Sequence, residues 1–426
     1  MYALYSALLS LLLLISLPYW LLQMARLGKY RAGLAERLGQ VPERLHRDFS
    51  GRPVVWVHAV SVGEVLAVSA LLERLRAEGA VRVVISTTTQ TGQRLARQRF
   101  GEENVFYFPI DLPLAIGTYL RALRPKVVVL AETEFWPNFL HMAHRSGARV
   151  VVVNARISDR SFPRYRRFRA LLRRVLSNVD QFLAQSEEDA QRLIAVGAMP
   201  ERVAVSGNLK FDVAPPRSLP FVEELRAELA SAKAGPTLVA GSTVEGEEPF
   251  VLAAFRQIWT ANPGARLILA PRHKERFAAV AALVAESGMP FALRSESCIA
   301  HDKWRVLLLD SIGELATVYS LADVALVGGS LVPRGGHNIL EPAFYGVPII
   351  VGQHTENFRD IIALFRREKA VIECAPAELT SHLQQLFADK NLRTQLGTRA
   401  CSVLQKQRGA TARTHDALHA ILKGAE

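Results

Sequence analysis

Two kinds of residue in this chain have the types and spacing for chemistry: cations among glycine-rich turns, and carboxylates at the ends of apolar runs. The densest stretch is Val327 to Pro342, VGGSLVPRGGHNILEP. Gly328-Gly329 and Gly335-Gly336 permit backbone angles and close approaches that a side chain forbids, and Asn338 followed three residues on by Glu341 has the form of a helix start. Exposed amides at such a start attract phosphate, with His337 standing among them. Tight turns around a solvated histidine are the plainer reading, but they explain one glycine pair better than two pairs flanking an arginine. Two further loops point the same way. Gly241-Ser242-Thr243 is a small-residue loop of the phosphate-binding kind, and Pro271-Arg272-His273 offers a guanidinium whose planar fork pairs with phosphate or carboxylate. These loops predict one anion site. A Gly-Lys-Ser/Thr phosphate loop is missing, which argues against a P-loop phosphohydrolase. His58, His273, His337 and His354 fall on separate loops rather than at metal-ligand spacing, so neither a metal nor another cofactor is expected.

The carboxylates lie in the first half of the chain. Glu64 closes His58-Ala59-Val60-Ser61-Val62-Gly63-Glu64 after an apolar run, where a carboxylate can act as general base toward a hydroxyl nucleophile or merely complement a helix dipole. Taken alone, the loop favours the second role. Glu132 and Glu134 precede Phe135, Trp136, Pro137 and Asn138, a set suited to a polyhydroxylated or cationic group and equally to ordinary helix-start chemistry. Asn154-Ala155-Arg156 ends another run, and Gln185 to Asp189 reads chiefly as a helix cap. Arg156 to Leu176 holds eight arginines, two phenylalanines, one tyrosine and a single acid. Arg156, Arg164, Arg166 and Arg167 there fit a surface for anionic lipid headgroups better than one for nucleic acid, with a solvated helix face as the plain alternative.

The elements that must position these residues follow from patterning. With 426 residues, half of them apolar, the chain is long enough for two cores, and a net charge of +12 points to an anionic partner. Cys298, Cys374 and Cys401 have no paired spacing, which fits a reducing compartment. Tyr2 to Ala25 carries no charged side chain and is long enough to span a bilayer, while Pro18, Tyr19 and Trp20 also suit an interfacial helix. Basic residues Arg26, Lys29, Arg31 and Arg37 follow it. They predict an uncleaved anchor with the body on the cytoplasmic side. From Val54 to Ser206, and again from Thr237 to Val351, short β-branched runs alternate with amphipathic segments, the pattern of a parallel sheet covered by helices. Pro215-Pro216 and Pro220 mark a linker between two doubly wound units. Sites are then expected at the carboxyl ends of strands, in a cleft where the units meet.

Six motifs, taken in order, carry a resemblance: HAVSVGE (58–64), ETEFWPN (132–138), NAR (154–156), GNLKFD (207–212), PRHKERF (271–277) and VGGSLVPRGGHNILEP (327–342). Together they resemble the 3-deoxy-D-manno-octulosonic acid (Kdo) transferases of lipopolysaccharide assembly. The resemblance implies an α/β fold of GT-B type, with a membrane anchor at 1–25, an acceptor domain at 26–213 and a donor domain at 214–426. It also implies inverting transfer of Kdo from CMP-Kdo to the lipid A precursor at the cytoplasmic face of the inner membrane. By motif, Glu64 corresponds to the catalytic base and Glu132 to a second acidic active-site position. Ser242, Arg272, His273, Gly335, Gly336, His337, Asn338 and Glu341 fall on the CMP side. Expected partners are CMP-Kdo, the lipid A precursor and anionic inner-membrane lipids, without nucleic acid. A GT-B transferase or epimerase using a uridine-diphosphate sugar is the alternative.

Overall fold

The computed structural model describes residues 1–27, 33–46, 51–212, 219–231, 235–296 and 304–424. Lys29, Arg31, the side chain of Arg26, Cys298 and the Pro215-Pro216 linker lie outside the described residues. The chain divides into unit 1, Met1–Asp212 with Gln407–Glu426, and unit 2, Val213–Lys406.

Unit 1 is built on seven parallel strands: β1 Val54–His58, β2 Arg82–Thr87, β3 Val105–Tyr107, β4 Val127–Ala131, β5 Arg149–Ala155, β6 Gln181–Ala184 and β7 Val203–Val205. Their order is β3-β2-β1-β4-β5-β6-β7. Parallel strands need crossovers, and the helices supplying them cover both faces, so successive residues of one strand enter different cores. Trp56 packs with Phe106, Tyr119 and Phe139 on one face, and Val55 and Val57 join Leu71, Leu72 and Phe100 on the other. The helices are α1 Tyr2–Leu27, α2 Leu34–Arg37, α3 Val62–Ala77, α4 Gln90–Phe100, α5 Pro113–Leu123, α6 Pro137–Arg145, α7 Phe162–Arg167, α8 Arg169–Leu176 and α9 Glu187–Val196. Ser186 caps α9 by accepting from the Asp189 amide, the role the sequence assigns to that loop.

Unit 2 repeats the plan with β8 Thr237–Thr243, β9 Arg266–Pro271, β10 Phe291–Leu293, β11 Val306–Leu308, β12 Val324–Val327, β13 Ile349–Val351 and β14 Ile372–Glu373, in the order β10-β11-β9-β8-β12-β13-β14. In each sheet the strand order reverses once, between β1 and β4 and between β8 and β12. Crevices at the carboxyl ends of such adjacent strands are where open α/β sheets bind ligands.

Two sequence readings need correction. Gly241-Ser242-Thr243 is the end of β8 rather than a loop, with the pairing to β9 shifting register between Gly241 and Thr243. The bulge turns Ser242 to a φ of 57° while keeping the segment paired. The boundary expected for the second domain, 214–426, also takes in a helix that belongs to unit 1. Residues Ala410–Gly424 bury Ala410 and Leu418 in the same core as Val65 and Leu72 of α3. The Asp212 carboxylate accepts the Gly409 amide at 2.6 Å and the Thr411 amide, and Arg413 Nε donates to the Ser206 carbonyl at 2.8 Å.

Candidate active site

Glu64 reaches its position through the start of α3. Ser61 is the N-cap, and its oxygen accepts from the Glu64 amide while its hydroxyl donates back to Glu64 Oε1 at 2.9 Å. Glu64 Oε2 accepts the Val60 amide at 2.8 Å. Glu64 thus does sit at a helix start, and there it completes a capping box with Ser61. That role does not exhaust the residue, because the carboxyl sits in the β1/β4 crevice. Burial raises its pKa, the bonds from Val60 and Ser61 oppose the rise, and the negative charges of Glu132 and Glu134 reinforce it; the result is about 7. A carboxyl with its pKa in that range has the proton affinity a general base needs at neutral pH.

Glu132 ends β4 in a left-handed conformation, φ 58°, with its amide bonded to the Val153 carbonyl at 2.9 Å. Backbone held there in a non-glycine residue costs energy and persists where surrounding bonds fix it. Its carboxylate meets Lys210 Nζ at 3.0 Å and Arg156 Nε at 3.9 Å. Lys210, part of the GNLKFD motif, is thereby a partner of the Glu132 carboxylate. Asn154, buried at φ 53°, accepts the Leu209 amide at 2.9 Å, and Asn208 donates to Gln185 Oε1 at 2.9 Å while accepting the Lys210 amide. This network of buried amides aims the ammonium at Glu132. Burial raises the pKa of Glu134 as well, with Glu132 adding to the effect. Arg156 thus stands with the carboxylates, whereas Arg164, Arg166 and Arg167 lie on α7 with exposed side chains.

In unit 2 the strand ends bring together Ser242, Arg272, His273 and the 328–341 segment. Its organiser is Glu247, a residue the sequence reading passed over. Wholly buried, it accepts the amides of Val244 at 3.0 Å, Gly329 at 2.7 Å, Ser330 at 2.9 Å and Leu331 at 2.8 Å. The first glycine pair is therefore explained by its own carboxylate. A Cβ on Gly328 would lie 2.6 Å from the Ser242 carbonyl and 2.8 Å from Glu247. The Gly336 amide is likewise taken by the Gly329 carbonyl at 2.7 Å. The amides of Gly329, Ser330, Leu331 and Gly336 are thus spent on folding the loop.

What the loop presents instead is charge and a ring. Arg272 and His273 are exposed beside His337, and burial, with Arg272 and His273 adding, lowers the His337 pKa to about 4, so its ring is neutral at pH 7. Glu341 is raised by burial, against the Asn338 hydrogen bond and the Arg272 charge. Asn338 accepts the Leu340 amide at 3.1 Å and donates to Glu341 Oε1 at 3.2 Å, one residue outside the Ile339 cap. Gly335, at φ 88°, has no room for a Cβ, which would stand 2.4 Å from Asn357 Nδ2. One sheet thus carries a carboxyl of raised pKa near a carboxylate–cation cluster, and the other a cationic edge with a neutral imidazole. The first can take a proton from a hydroxyl, and the second can hold a phosphate.

Residues 32–213 match the family model described as 3-deoxy-D-manno-octulosonic-acid transferase (kdotransferase). The chain is 34% identical over 402 residues to the 3-deoxy-D-manno-octulosonic acid transferase of Haemophilus influenzae, covering 93% of this chain and 92% of that one. It is 34% identical over 414 residues to the enzyme of that name from Bordetella pertussis, covering 94% of each. Among solved structures, UDP-GlcNAc 2-epimerase from Neisseria meningitidis bound to UDP-GlcNAc is similar with a TM-score of 0.54, covering 87% of this chain and 100% of that one. At 12% identity that likeness is one of fold, the GT-B arrangement, and lends the uridine-donor alternative nothing more. Matched over nearly its whole length, this chain belongs to the 3-deoxy-D-manno-octulosonic acid transferase family of glycosyltransferases.

Proposed function

We propose that the chain transfers Kdo from CMP-Kdo to the lipid A precursor of lipopolysaccharide, with inversion at the anomeric carbon. The observation that carries this reading is Glu64, a carboxyl tuned to about 7 in the crevice of the first sheet. Ionised Glu64 takes the proton of an acceptor sugar hydroxyl as that oxygen bonds to the anomeric carbon of Kdo. The bond from that carbon to the phosphate oxygen breaks, and its electron pair leaves with CMP. Charge developing on the phosphate is met by Arg272 and His273, with Ser242, Gly335, Gly336, His337, Asn338 and Glu341 as the other donor-binding positions. Glu132, held by Lys210 and Arg156, keeps Glu64 basic.

The membrane part of the reading rests on α1, an apolar helix of 26 residues, and on the exposed arginines of α7. Both suit attachment to an anionic inner-membrane surface on the cytoplasmic side, where an acylated disaccharide acceptor lies. Incubating the purified protein with CMP-Kdo and a tetraacylated lipid A precursor, and weighing the products, tests the assignment. A mass increase of one or more Kdo units is expected. Turnover of uridine-diphosphate sugars in place of CMP-Kdo would overturn it.

A further inference from the structure

Two consecutive carboxylates stand at the start of the helix Glu248–Ala261, and both are wholly buried. Glu247, at the cap, gathers the amides of Gly329, Ser330 and Leu331. Glu248, the first residue of the helix, is turned by about 100° from its neighbour and faces a different loop. Its Oε1 meets Arg276 Nη1 at 2.5 Å, while Oε2 has no hydrogen-bond partner among the described residues. Burying a carboxylate is costly unless a cation accompanies it, and Arg276, its side chain 20% exposed, is the cation this one has.

Arg276 closes the turn that carries Arg272 and His273. The chain leaves β9 at Pro271 and runs through those two residues into the single helical turn Lys274–Arg276. At the start of this stretch the Arg272 amide donates to the Thr243 carbonyl at 2.9 Å, and at its end the Arg276 amide donates to the His273 carbonyl at 3.0 Å. The two anchors from outside the turn, the Thr243 carbonyl and the Glu248 carboxylate, both come from the connection that follows β8. That same connection supplies Glu247 to the glycine segment. Arg272 acts on His337 and Glu341 through its charge, and an exposed side chain stands where its backbone puts it.

We propose that the Glu248–Arg276 ion pair positions the donor-side cations: it fixes the 272–276 turn beside the 328–341 segment, so that Arg272 and His273 meet the same anion as His337. The plainer role is to fasten the helix Glu248–Ala261 to the helix Phe277–Glu286 that follows Arg276, and it would leave anion binding untouched. The two neighbouring carboxylates divide the work. Glu247 shapes the glycine segment, and Glu248, through Arg276, sets the cations next to it. A misplacement of about 1 Å in such groups is enough to weaken their hold on a phosphate.

The proposal rests on the assignment of Arg272 and His273 to donor binding, and its test reads CMP affinity and the titration of a ring rather than transfer. Removing Arg276 alone would leave a buried carboxylate without its cation, so the main variant is Glu248→Gln with Arg276→Met, which leaves no buried charge. Glu248→Gln alone keeps the acceptor's shape and guards against misfolding of the first. In the full chain, CMP affinity by calorimetry is expected to fall about 10-fold in the double variant, the size of one lost hydrogen bond to a charged group, and by less in the single one. Adding Arg272→Ala should cost nothing further, because the pair acts through Arg272. Carbon-13 histidine spectra give the second readout. With Arg272 and His273 no longer held beside it, the His337 ring is expected to titrate at higher pH than in the parent protein, although burial, the larger cause of its low pKa, stays. Unchanged CMP affinity in the double variant, an Arg272→Ala loss that adds to it in full, or a His337 titration that does not move would each overturn the proposal. Failure of the donor-binding assignment is distinct: the parent protein itself would not bind CMP, while the His337 titration would still report whether the pair holds Arg272.

Discussion

In the proposed reaction Glu64 is one side chain serving both a helix and a proton transfer. The bonds from Val60 and Ser61 hold it still, and burial among like charges keeps its proton affinity near neutrality. Replacing it with glutamine keeps the cap and removes the base, so transfer is expected to fall about 10²–10⁴-fold with CMP affinity by calorimetry unchanged. Loss of both together would mean that the residue is structural. The pH profile carries a sharper test. In the proposed reaction ionised Glu64 is the working form, so kcat/KM is expected to rise with pH through an apparent pKa near 7. Glu132 raises that pKa, so Glu132→Gln should move the acidic limb to lower pH, whereas Lys210→Met, leaving Glu132 uncompensated, should move it higher. The place of Glu64 at a helix start was legible in the sequence, whereas its capping by Ser61 came from the structure. Lys210 was not legible as a site residue, since its approach to Glu132 depends on buried amides 23 to 55 residues apart in the chain.

At the scale of elements, the alternation of β-branched runs disclosed twelve of the fourteen strands found among the described residues, because a strand buried on both faces must be continuously apolar. The two it missed, β10 and β14, are the short edge strands of the second sheet, three and two residues long. Edge strands need little apolar length and so leave little trace. The glycine segment after β12 was recognised as a binding loop, but the group that shapes it lies some eighty residues earlier, in Val244-Glu245-Gly246-Glu247. Glu247→Ala would leave four amides without their acceptor. Hydrogen bonds to a charged group contribute roughly 1.5–3 kcal/mol each, so even partial rescue by water leaves a loss of about 3 kcal/mol. We expect faster amide exchange at residues 329–331 and weaker CMP binding, with Glu64-side chemistry untouched in the protein still saturated by donor. Unaltered exchange at those amides would refute the role given to Glu247.

On the scale of the molecule, two parallel-sheet units could be read from the repeat of the strand pattern around a proline-rich break. The allegiance of the last helix could not. Its apolar stripe, Ala410, Leu418, Ile421 and Leu422, specifies that it covers a core without specifying which. The choice is made by polar contacts with no local sequence signature: Asp212 to the Gly409 and Thr411 amides, Arg413 to the Ser206 carbonyl, and His415 Nε2 to Glu78 at 2.8 Å. Asp212 is the last residue of unit 1 before the chain leaves it, and Gly409 comes just after the chain returns, so one carboxylate holds the two crossings side by side. Asp212→Ala removes two bonds to a charged acceptor and should cost about 2 kcal/mol, less than their sum because water reaches the site. The loss would be local. Residues 410–424 should exchange their amides faster and the core of α3 should follow, while the sheet of unit 2 keeps its protection. Equal loss of protection in both units would mean that they unfold as one body, and the return helix would then be a fastening of the whole chain rather than part of unit 1.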